Sequence, residues 1–270
     1  MKWIKENKIE QPKRQDVIKY RDELKRKHAP ATVQNYIIAI RQFFRWTAQE
    51  GLYPNIADNI KGAKISREHK KDALTAKQAR EILEKQREKR TVKGKRDYAI
   101  IAAAVTGGLR TIEIQRANIE DLRSAGENTV LYIQGKGRDE KAEYIIITEP
   151  VEVAIREYMK ARGKAGKGAP LFASDSNRNR GERMTTRSIS RIIKEAFIEA
   201  GYNSDRLTAH SLRHTAGTLN LLNGGTLQET QQLLRHQNID TTMIYAHNLE
   251  RAANKSEERL SEAIFEKGGF

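Results

Sequence analysis

The sequence predicts a two-domain protein that is mainly helical and carries one small antiparallel β-sheet. Its 270 residues exceed the usual size of a single domain. Most segments place apolar residues at helical spacing. Two β-rich runs, Thr129–Gln134 and Glu143–Ile147, are separated by a glycine-containing stretch that is typical of a hairpin. A hydrophobic content of 38% supports a core in each domain.

Two helices are predicted in the N-terminal part. The first runs from Asp16 to Lys27, and the second begins at Pro30 and ends at Gly51. Trp3-Ile4 is interpreted as the end of an earlier helix. The second helix has an apolar stripe, which consists of Val33, Ile37, Ile40 and Phe44. We also expect an aromatic cluster to lie in the core rather than to stack on bases: Phe43, Phe44 and Trp46.

The remaining chain alternates helices with the predicted hairpin. Thr75 is predicted to cap a helix, and an apolar helix from Arg96 to Thr106 ends at Gly107-Gly108. After the strands, a helix from Pro150 to Arg162 is predicted to cover the sheet with Val153, Ile155 and Tyr158.

Two further segments precede the C-terminal quarter. Gly163–Arg183 is interpreted as mostly surface loop with a short apolar insert, Pro170-Leu171-Phe172. A helix begins at Thr185, and its buried side is predicted to carry Ile189, Ile192, Ile193 and Phe197. Its polar side carries three basic residues that suit either solvent or a DNA groove: Arg187, Arg191 and Lys194.

Bulk charge points to a polyanionic partner. The net charge is +15 and the pI is about 9.9. Residues 1–72 hold 17 Lys+Arg against 9 Asp+Glu, so this smaller part contributes +8 of the total. The chain has no cysteine, which excludes disulfides and thiolate metal sites and fits a reducing compartment. With no long apolar run and no signal-peptide pattern, we expect a soluble cytoplasmic protein without a membrane partner.

The C-terminal quarter concentrates side chains that suit phosphate chemistry. His210 and Arg213 are three residues apart, so a helix places them on one face. His236 and Tyr245 are nine residues apart across a turn, and Asp240 is predicted to cap the short helix that carries Tyr245. Imidazole, guanidinium and phenol groups at these fixed intervals favour binding of a phosphate and attack on it.

This pattern resembles the tyrosine site-specific recombinases, the family that includes phage integrases and Xer-type recombinases. The sequence motif of that family is His-x-x-Arg, followed by Leu-Leu-x-His and by a tyrosine nine residues after the last histidine. The sequence has His210-Ser211-Leu212-Arg213, Leu233-Leu234-Arg235-His236 and Tyr245. The combined pattern is highly specific, and the resemblance spans most of the chain.

The resemblance implies a two-domain clamp around DNA. We expect a helical core-binding domain at residues 1–63, a basic linker at 64–74, an integrase-type catalytic domain at 75–248 and a C-terminal tail helix at 249–270. It also implies that the tail contacts a neighbouring protomer in a DNA-bound homotetramer. Packing of the tail on its own domain is the alternative.

The resemblance assigns two further catalytic positions earlier in the chain. Arg110, in the pattern Gly-Leu-Arg-x-x-Glu, matches the first catalytic arginine, and Glu113 is expected to orient an arginine. Lys136, in Gly-Lys-Gly on the hairpin turn, matches the catalytic lysine and is expected to protonate the leaving 5′-oxygen. Lys141 on the same hairpin is the alternative.

The expected chemistry is transesterification at a phosphodiester. Arg110 and Arg213 would bind the non-bridging oxygens, and Tyr245 would attack once it loses its proton. A phenol has an ordinary pKa near 10, and a neighbouring positive field favours the phenolate. His210 is expected to accept that proton or to organise the phosphate, and His236 to hydrogen-bond the phosphate.

The implied function is site-specific recombination of double-stranded DNA through a 3′-phosphotyrosyl link, without metal, ATP or another cofactor. The sequence has no Walker loop, no clustered acidic metal ligands and no Cys/His zinc spacing. The alternatives are a type IB topoisomerase-like enzyme and a catalytically silent DNA-binding relative. The helical part before the catalytic residues and the tail argue against the first, and the retained catalytic positions argue against the second.

Two residues inside the motifs are predicted to have no catalytic role. His214 is expected to hydrogen-bond the backbone, and Arg235 is expected to face solvent or DNA.

Overall fold

The computed structural model describes residues 2–64, 72–135 and 140–265. The chain forms two compact units, Met1–His69 and Lys70–Phe270. Within the described ranges, no helix is long and apolar enough to cross a membrane. The predicted fold class, mainly helical with a small antiparallel sheet, is confirmed.

The first unit contains helices α1 (Lys2–Glu6), α2 (Arg14–Lys27) and α3 (Pro30–Gln49). Proline at the first position of α3 fits the helix start, because its missing N–H would have no partner there. Trp3 lies on α1, and its indole Nε1 donates to Glu23 Oε2 of α2 at 2.8 Å. The core of this unit consists of Val17, Leu24, Val33, Ile37, Phe44, Ala57 and Ile60.

The aromatic cluster of α3 is buried at one position only. Phe44 is 5% exposed, whereas Phe43 is 41% and Trp46 is 49% exposed. The prediction of a buried cluster is therefore wrong for Phe43 and Trp46. Each helical residue rotates the side chain by about 100°, so residues 43 and 46 leave the stripe that Val33, Ile37 and Phe44 bury.

The second unit is organised around a central buried helix. It begins with α4 (Ala76–Arg87) and α5 (Val92–Thr106). The Thr75 hydroxyl accepts from Gln78 N at 3.2 Å, as its predicted capping role requires. The helix α5 starts four residues before the predicted Arg96, because the Thr91 hydroxyl accepts from Gly94 N at 3.0 Å and caps it there.

A short helix, α6 (Thr111–Arg116), leads into a three-stranded antiparallel sheet. Its strands are β1 (Leu122–Ala125), β2 (Asn128–Ile133) and β3 (Glu143–Ile147), in the order β1-β2-β3. The predicted hairpin is confirmed, with Leu131 opposite Ile145. The sequence did not predict β1, because three of its four residues are exposed and carry no β-type alternation.

The next helix, α7 (Glu149–Arg162), packs mainly against α5 rather than over the sheet. Its buried residues are Val151, Ala154, Ile155 and Tyr158, whereas Val153 is 50% exposed. The prediction was therefore wrong about Val153 and about the surface that this helix covers.

The segment that follows α7 is partly internal. Leu171 and Phe172 are 0% and 2% exposed, and Leu171 N donates to Ala117 O at 2.8 Å. Arg183 Nη1 donates to Gln115 O at 2.6 Å. The apolar insert of the predicted surface loop therefore belongs to the core.

Five helices complete the described chain: α8 (Thr186–Glu199), α9 (Ala209–Leu222), α10 (Leu227–Leu234), α11 (Asp240–Ala253) and α12 (Ser256–Ile264). The predicted buried side of α8 is confirmed. Asp240 was predicted to cap α11 but is its first residue. The capping contact comes from Asn238, whose Oδ1 accepts from Asp240 N at 2.9 Å.

We predict that Phe44→Ala lowers the unfolding free energy of the first unit by about 3 kcal/mol, because it leaves a cavity. Trp46→Ala, on the exposed side of the same helix, should cost less than about 1 kcal/mol. Hydrogen–deuterium exchange of the α2 and α3 amides in the full chain measures both. Equal effects of the two variants would contradict the burial described for this helix.

Candidate active site

The site forms where α9 meets α10, α11 and the turn after α5. Arg213 and His214 lie on α9, His236 lies between α10 and α11, and Tyr245 lies on α11. Arg110 follows the Gly107-Gly108 turn. Residues separated by more than a hundred positions in the sequence therefore meet in one place.

The two glycines of that turn allow a close approach. A Cβ on Gly108, which has φ +56°, would lie 2.8 Å from Leu234 Cδ2, and a Cβ on Gly107 would lie 2.5 Å from Ile145 Cδ1. Only glycine fits such contacts without displacing the neighbour, and only glycine adopts this φ without strain. The end of α5 can therefore contact the end of α10.

Arg213 is 1% exposed and joins these two ends. Its Nη1 donates to Gly108 O at 2.6 Å, and its Nη2 donates to Leu234 O. Burial, Arg110 and Arg235 lower the pKa of Arg213 to about 9, so it still carries its charge at neutral pH. The site thus contains a fixed, desolvated cation.

Glu113 binds two further arginines. The carboxylate is 1% exposed; Oε1 accepts from Arg110 Nη1 at 2.7 Å, and Oε2 accepts from Arg235 Nη2 at 2.9 Å. Burial alone would raise the pKa of Glu113, but Arg235 and Arg110 together lower it. Glu113 therefore contacts Arg110, as a residue that orients an arginine must.

Arg235 was predicted to face solvent or DNA, and this is wrong. Its side chain is 5% exposed. Its Nη1 donates to Gly107 O at 3.1 Å and its Nη2 to Gly108 O at 3.0 Å. The backbone of Arg235 has φ +51° at the C-terminal end of α10, which aims the side chain back into the protein.

Tyr245 is enclosed in this state. It is 4% exposed and packs with Ala216 and Leu234, and a Cβ on Gly217 would lie 3.4 Å from its Cζ. Its hydroxyl lies 2.7 Å from His214 Nδ1, a contact that the sequence did not predict. Burial raises the pKa of Tyr245 to about 12, although Arg213 and Arg110 act in the opposite direction. The expected positive field is present, but burial outweighs it.

His236 lies beside the tyrosine ring. The two rings are nearly parallel, with 6.4 Å between centroids. His236 Nδ1 lies 2.9 Å from the hydroxyl of Thr242, which is fully buried. Burial, Arg213 and Arg110 lower the pKa of His236 to about 4, so its imidazole is neutral at pH 7.

His210 lies on α9, the helix of Arg213 and His214, and faces solvent. It is exposed, and its ring meets the ring of His214 edge-on, with 4.5 Å between centroids. His210 and Arg110 line an open cavity of about 670 Å³, to which α8 contributes Arg191 and Lys194. His210 and Arg213 were predicted to share one face of α9. His210 is exposed to solvent, whereas Arg213 is buried in the interior.

The choice of Lys136 over Lys141 stays a prediction, because Lys136 lies outside the described residues. Lys141 Nζ forms an ion pair with Asp121, which is 1% exposed. Lys141 thus has a structural partner at the base of the hairpin.

Residues 72–251 match the phage integrase family, and residues 1–51 match the phage integrase N-terminal SAM-like domain. The chain belongs to the phage integrase family. Membership confirms the predicted class of enzyme, a tyrosine recombinase that carries out site-specific DNA recombination.

Individual relatives agree with this assignment. The chain is 30% identical over 227 residues to tyrosine recombinase XerC of Chlamydia trachomatis (serovar D), covering 84% of this chain and 70% of that protein. It is 28% identical over 243 residues to XerC of Caldanaerobacter subterraneus, covering 86% of this chain and 64% of that protein. The chain thus spans about two thirds of the length of these relatives.

A solved structure shares the fold. The post-cleavage complex of XerH site-specific recombinase bound to a palindromic difH substrate superposes with a TM-score of 0.74 at 22% identity. The match covers 93% of this chain and 74% of that one. None of these three proteins is a topoisomerase, so they lend no support to that alternative.

We predict that Arg235→Met and Glu113→Gln each lower the unfolding free energy of the second unit by about 3 kcal/mol, because each breaks a buried ion pair. The double variant should cost at least about 1 kcal/mol less than the sum of the two. Exchange protection of the α5 amides reports this free energy. Arg191→Met, whose side chain is 74% exposed, serves as the control and should change it by less than about 0.5 kcal/mol. Additive single effects would show that the Arg235–Glu113 contact contributes nothing.

Proposed function

We propose that Tyr245 cleaves and rejoins DNA strands at specific recombination sites through a 3′-phosphotyrosyl intermediate. The observation that carries this proposal is the juxtaposition of a phenol with Arg110, Arg213 and His236 in one cationic site. Neither ATP nor a metal is required, because the energy of the broken phosphodiester is kept in the tyrosyl ester.

The arginines would stabilise the charge that develops on the phosphate. Arg213 is already desolvated and fixed by two carbonyls, so its guanidinium is held in place before the substrate binds. Because it is 1% exposed, it can contact a phosphate only once the site opens. Arg110 is 31% exposed at its side chain and lines the open cavity, so it can bind a non-bridging oxygen from there. Glu113 would orient Arg110, and neutral His236 would donate a hydrogen bond to the same phosphate.

The nucleophile must become accessible before it reacts. Tyr245 is 4% exposed, so its hydroxyl meets a phosphate only after the α11 side of the site opens. The leaving 5′-oxygen needs a proton, and we assign that proton to Lys136. The ion pair of Lys141 with buried Asp121 supports this choice, because Lys141 would have to break it to reach a substrate.

The proposed substrate is double-stranded DNA. The net charge of +15 favours it, and Arg191 and Lys194 extend the cation cluster beside Arg110. The XerH structure was solved with a DNA substrate. We assign residues 1–63 to core binding, 64–74 to the linker and 75–248 to catalysis. The separate family matches over residues 1–51 and 72–251 support a division into an N-terminal and a C-terminal part. A cysteine-free protein that acts on DNA fits the cytoplasm.

The tail, residues 249–270, is proposed to contact a neighbouring protomer in a DNA-bound homotetramer. Every described residue from Asn254 to Phe265 is exposed, and α12 buries none of its side chains. Leu260, Ile264 and Phe265 are 61–68% exposed. An unpaired apolar stripe of this kind favours a partner over packing on its own domain.

We expect a DNA substrate with a nick beside the cleavage site to trap a covalent adduct with the wild-type chain, because the short released fragment diffuses away. Tyr245→Phe should reduce the adduct below detection on a denaturing gel while DNA binding is retained. Transfer of the strand to a second site then distinguishes a recombinase from a topoisomerase-like enzyme. Absence of any wild-type adduct on cognate DNA would favour a silent relative.

For the tail, we predict that Leu260→Ser combined with Ile264→Ser lowers the tetramer fraction on DNA at least about tenfold, because each change removes apolar surface from the contact. Sedimentation of the DNA complex measures the assembly. Glu258→Gln and Glu262→Gln on the same helix are the controls, and removal of all residues after His247 should match the serine variants. An unchanged tetramer fraction for the double serine variant would contradict the proposed contact of the tail with a neighbouring protomer.

A further inference from the structure

The hydroxyl of Tyr245, which must lose its proton in this reaction, contacts His214, a residue to which the motifs assign no role. The hydroxyl of Tyr245 lies 2.7 Å from Nδ1 of His214, and both residues are at least 94% buried. His214 directly follows Arg213 in the sequence, but the His-x-x-Arg pattern uses only His210 and Arg213.

We propose that His214 is a catalytic residue that accepts the Tyr245 proton and passes a proton on toward His210. The proposal rests on the recombinase function proposed above. His210 then has two roles: it organises the phosphate, and it transfers protons between the buried imidazole of His214 and solvent.

The Tyr245 O–H bond breaks, and the proton binds the lone pair of His214 Nδ1, which is available when the neutral ring carries its hydrogen on Nε2. The phenolate oxygen then bonds to phosphorus as the bond from phosphorus to the 5′-oxygen breaks. That oxygen takes its proton from a separate donor, Lys136. In rejoining, the 5′-hydroxyl gives its proton to the Lys136 amine as its oxygen bonds to phosphorus, the bond from phosphorus to the Tyr245 oxygen breaks, and the departing phenolate recovers a proton from His214.

The surroundings of His214 explain why a relay is needed. An imidazolium beside buried Arg213 is electrostatically costly, so the charge must leave quickly. His210 is exposed, and its ring lies 4.5 Å from that of His214 in an edge-on arrangement. A proton that enters His214 at Nδ1 can therefore depart from its other nitrogen toward a ring that contacts solvent.

His236, the half-exposed imidazole beside Tyr245, is less suited to this task. His236 Nδ1 lies 2.9 Å from the Thr242 hydroxyl, and its ring lies parallel to that of Tyr245 at 6.4 Å. A stacked ring does not aim a nitrogen lone pair at the phenol.

The test measures single-turnover adduct formation on the nicked DNA substrate. His214→Phe keeps a planar ring but removes both nitrogens, and we expect cleavage to slow by about 10²–10³-fold. Its rate should rise with pH throughout the alkaline range, because hydroxide then replaces the missing acceptor and the buried phenol of Tyr245 has a pKa of about 12. His247→Phe, an exposed histidine on α11, is the matched control and should leave the rate unchanged.

A second substrate separates the two proton transfers. Sulfur in place of the bridging 5′-oxygen leaves without protonation, so it should restore cleavage by Lys136→Met but not by His214→Phe. Cleavage by His214→Phe within about threefold of the wild type, or its restoration by sulfur, would overturn the proposal. Exchange protection of α9 and α11 checks folding, and His214→Gln replaces the phenylalanine variant if that protection is lost. Failure of the wild type itself to form an adduct would instead remove the recombinase proposal.

Discussion

The buried guanidinium of Arg213 is the interaction on which the rest of this site depends. It donates to the carbonyl of Gly108 at the end of α5 and to that of Leu234 at the end of α10. Those carbonyls lie at helix ends, where backbone acceptors have no partner within the helix. A desolvated cation thus binds the Leu234 carbonyl, shares the Gly108 carbonyl with Arg235, and connects three helices.

Positive charge predominates in the site. Arg110, Arg213 and Arg235 carry three positive charges, and the Glu113 carboxylate pairs with two of them, Arg110 and Arg235. One anion can fix the directions of two arginines, but it cannot neutralise three. The surplus is what a phosphodiester would compensate, and Arg110 reaches the open cavity where that phosphate can enter. The cationic side chains therefore connect the helices and, in the proposed function, also bind the phosphate.

The burial that fixes the cations also restrains Tyr245, the proposed nucleophile. Tyr245 has a pKa of about 12 and sits against Ala216 and Leu234, so it is neither ionised nor accessible in this state. An enzyme that breaks DNA benefits from such a restraint, because a phenol that stays protonated and enclosed does not attack at random. Reactivity then depends on how the site opens and where the proton goes.

The sequence by itself determined the elements and the class of chemistry. Periodicity predicted the main helices and the hairpin because those patterns depend on local spacing, and the motifs pointed to Arg110, Arg213, His236 and Tyr245. Local spacing also explains the failures, since Phe43, Trp46 and Val153 were judged by residue type rather than by the direction in which the helix turns them.

What only the tertiary structure decided is which polar group meets which. Arg235 is as basic as any solvated arginine, and His214 differs in no way from a structural histidine until α10 and α11 fold onto α9. The left-handed backbone at Arg235 and the approach of Tyr245 to His214 then give each a buried partner. Contacts between segments distant in sequence fix these roles, because the free energy of a buried polar group depends on its neighbours in space.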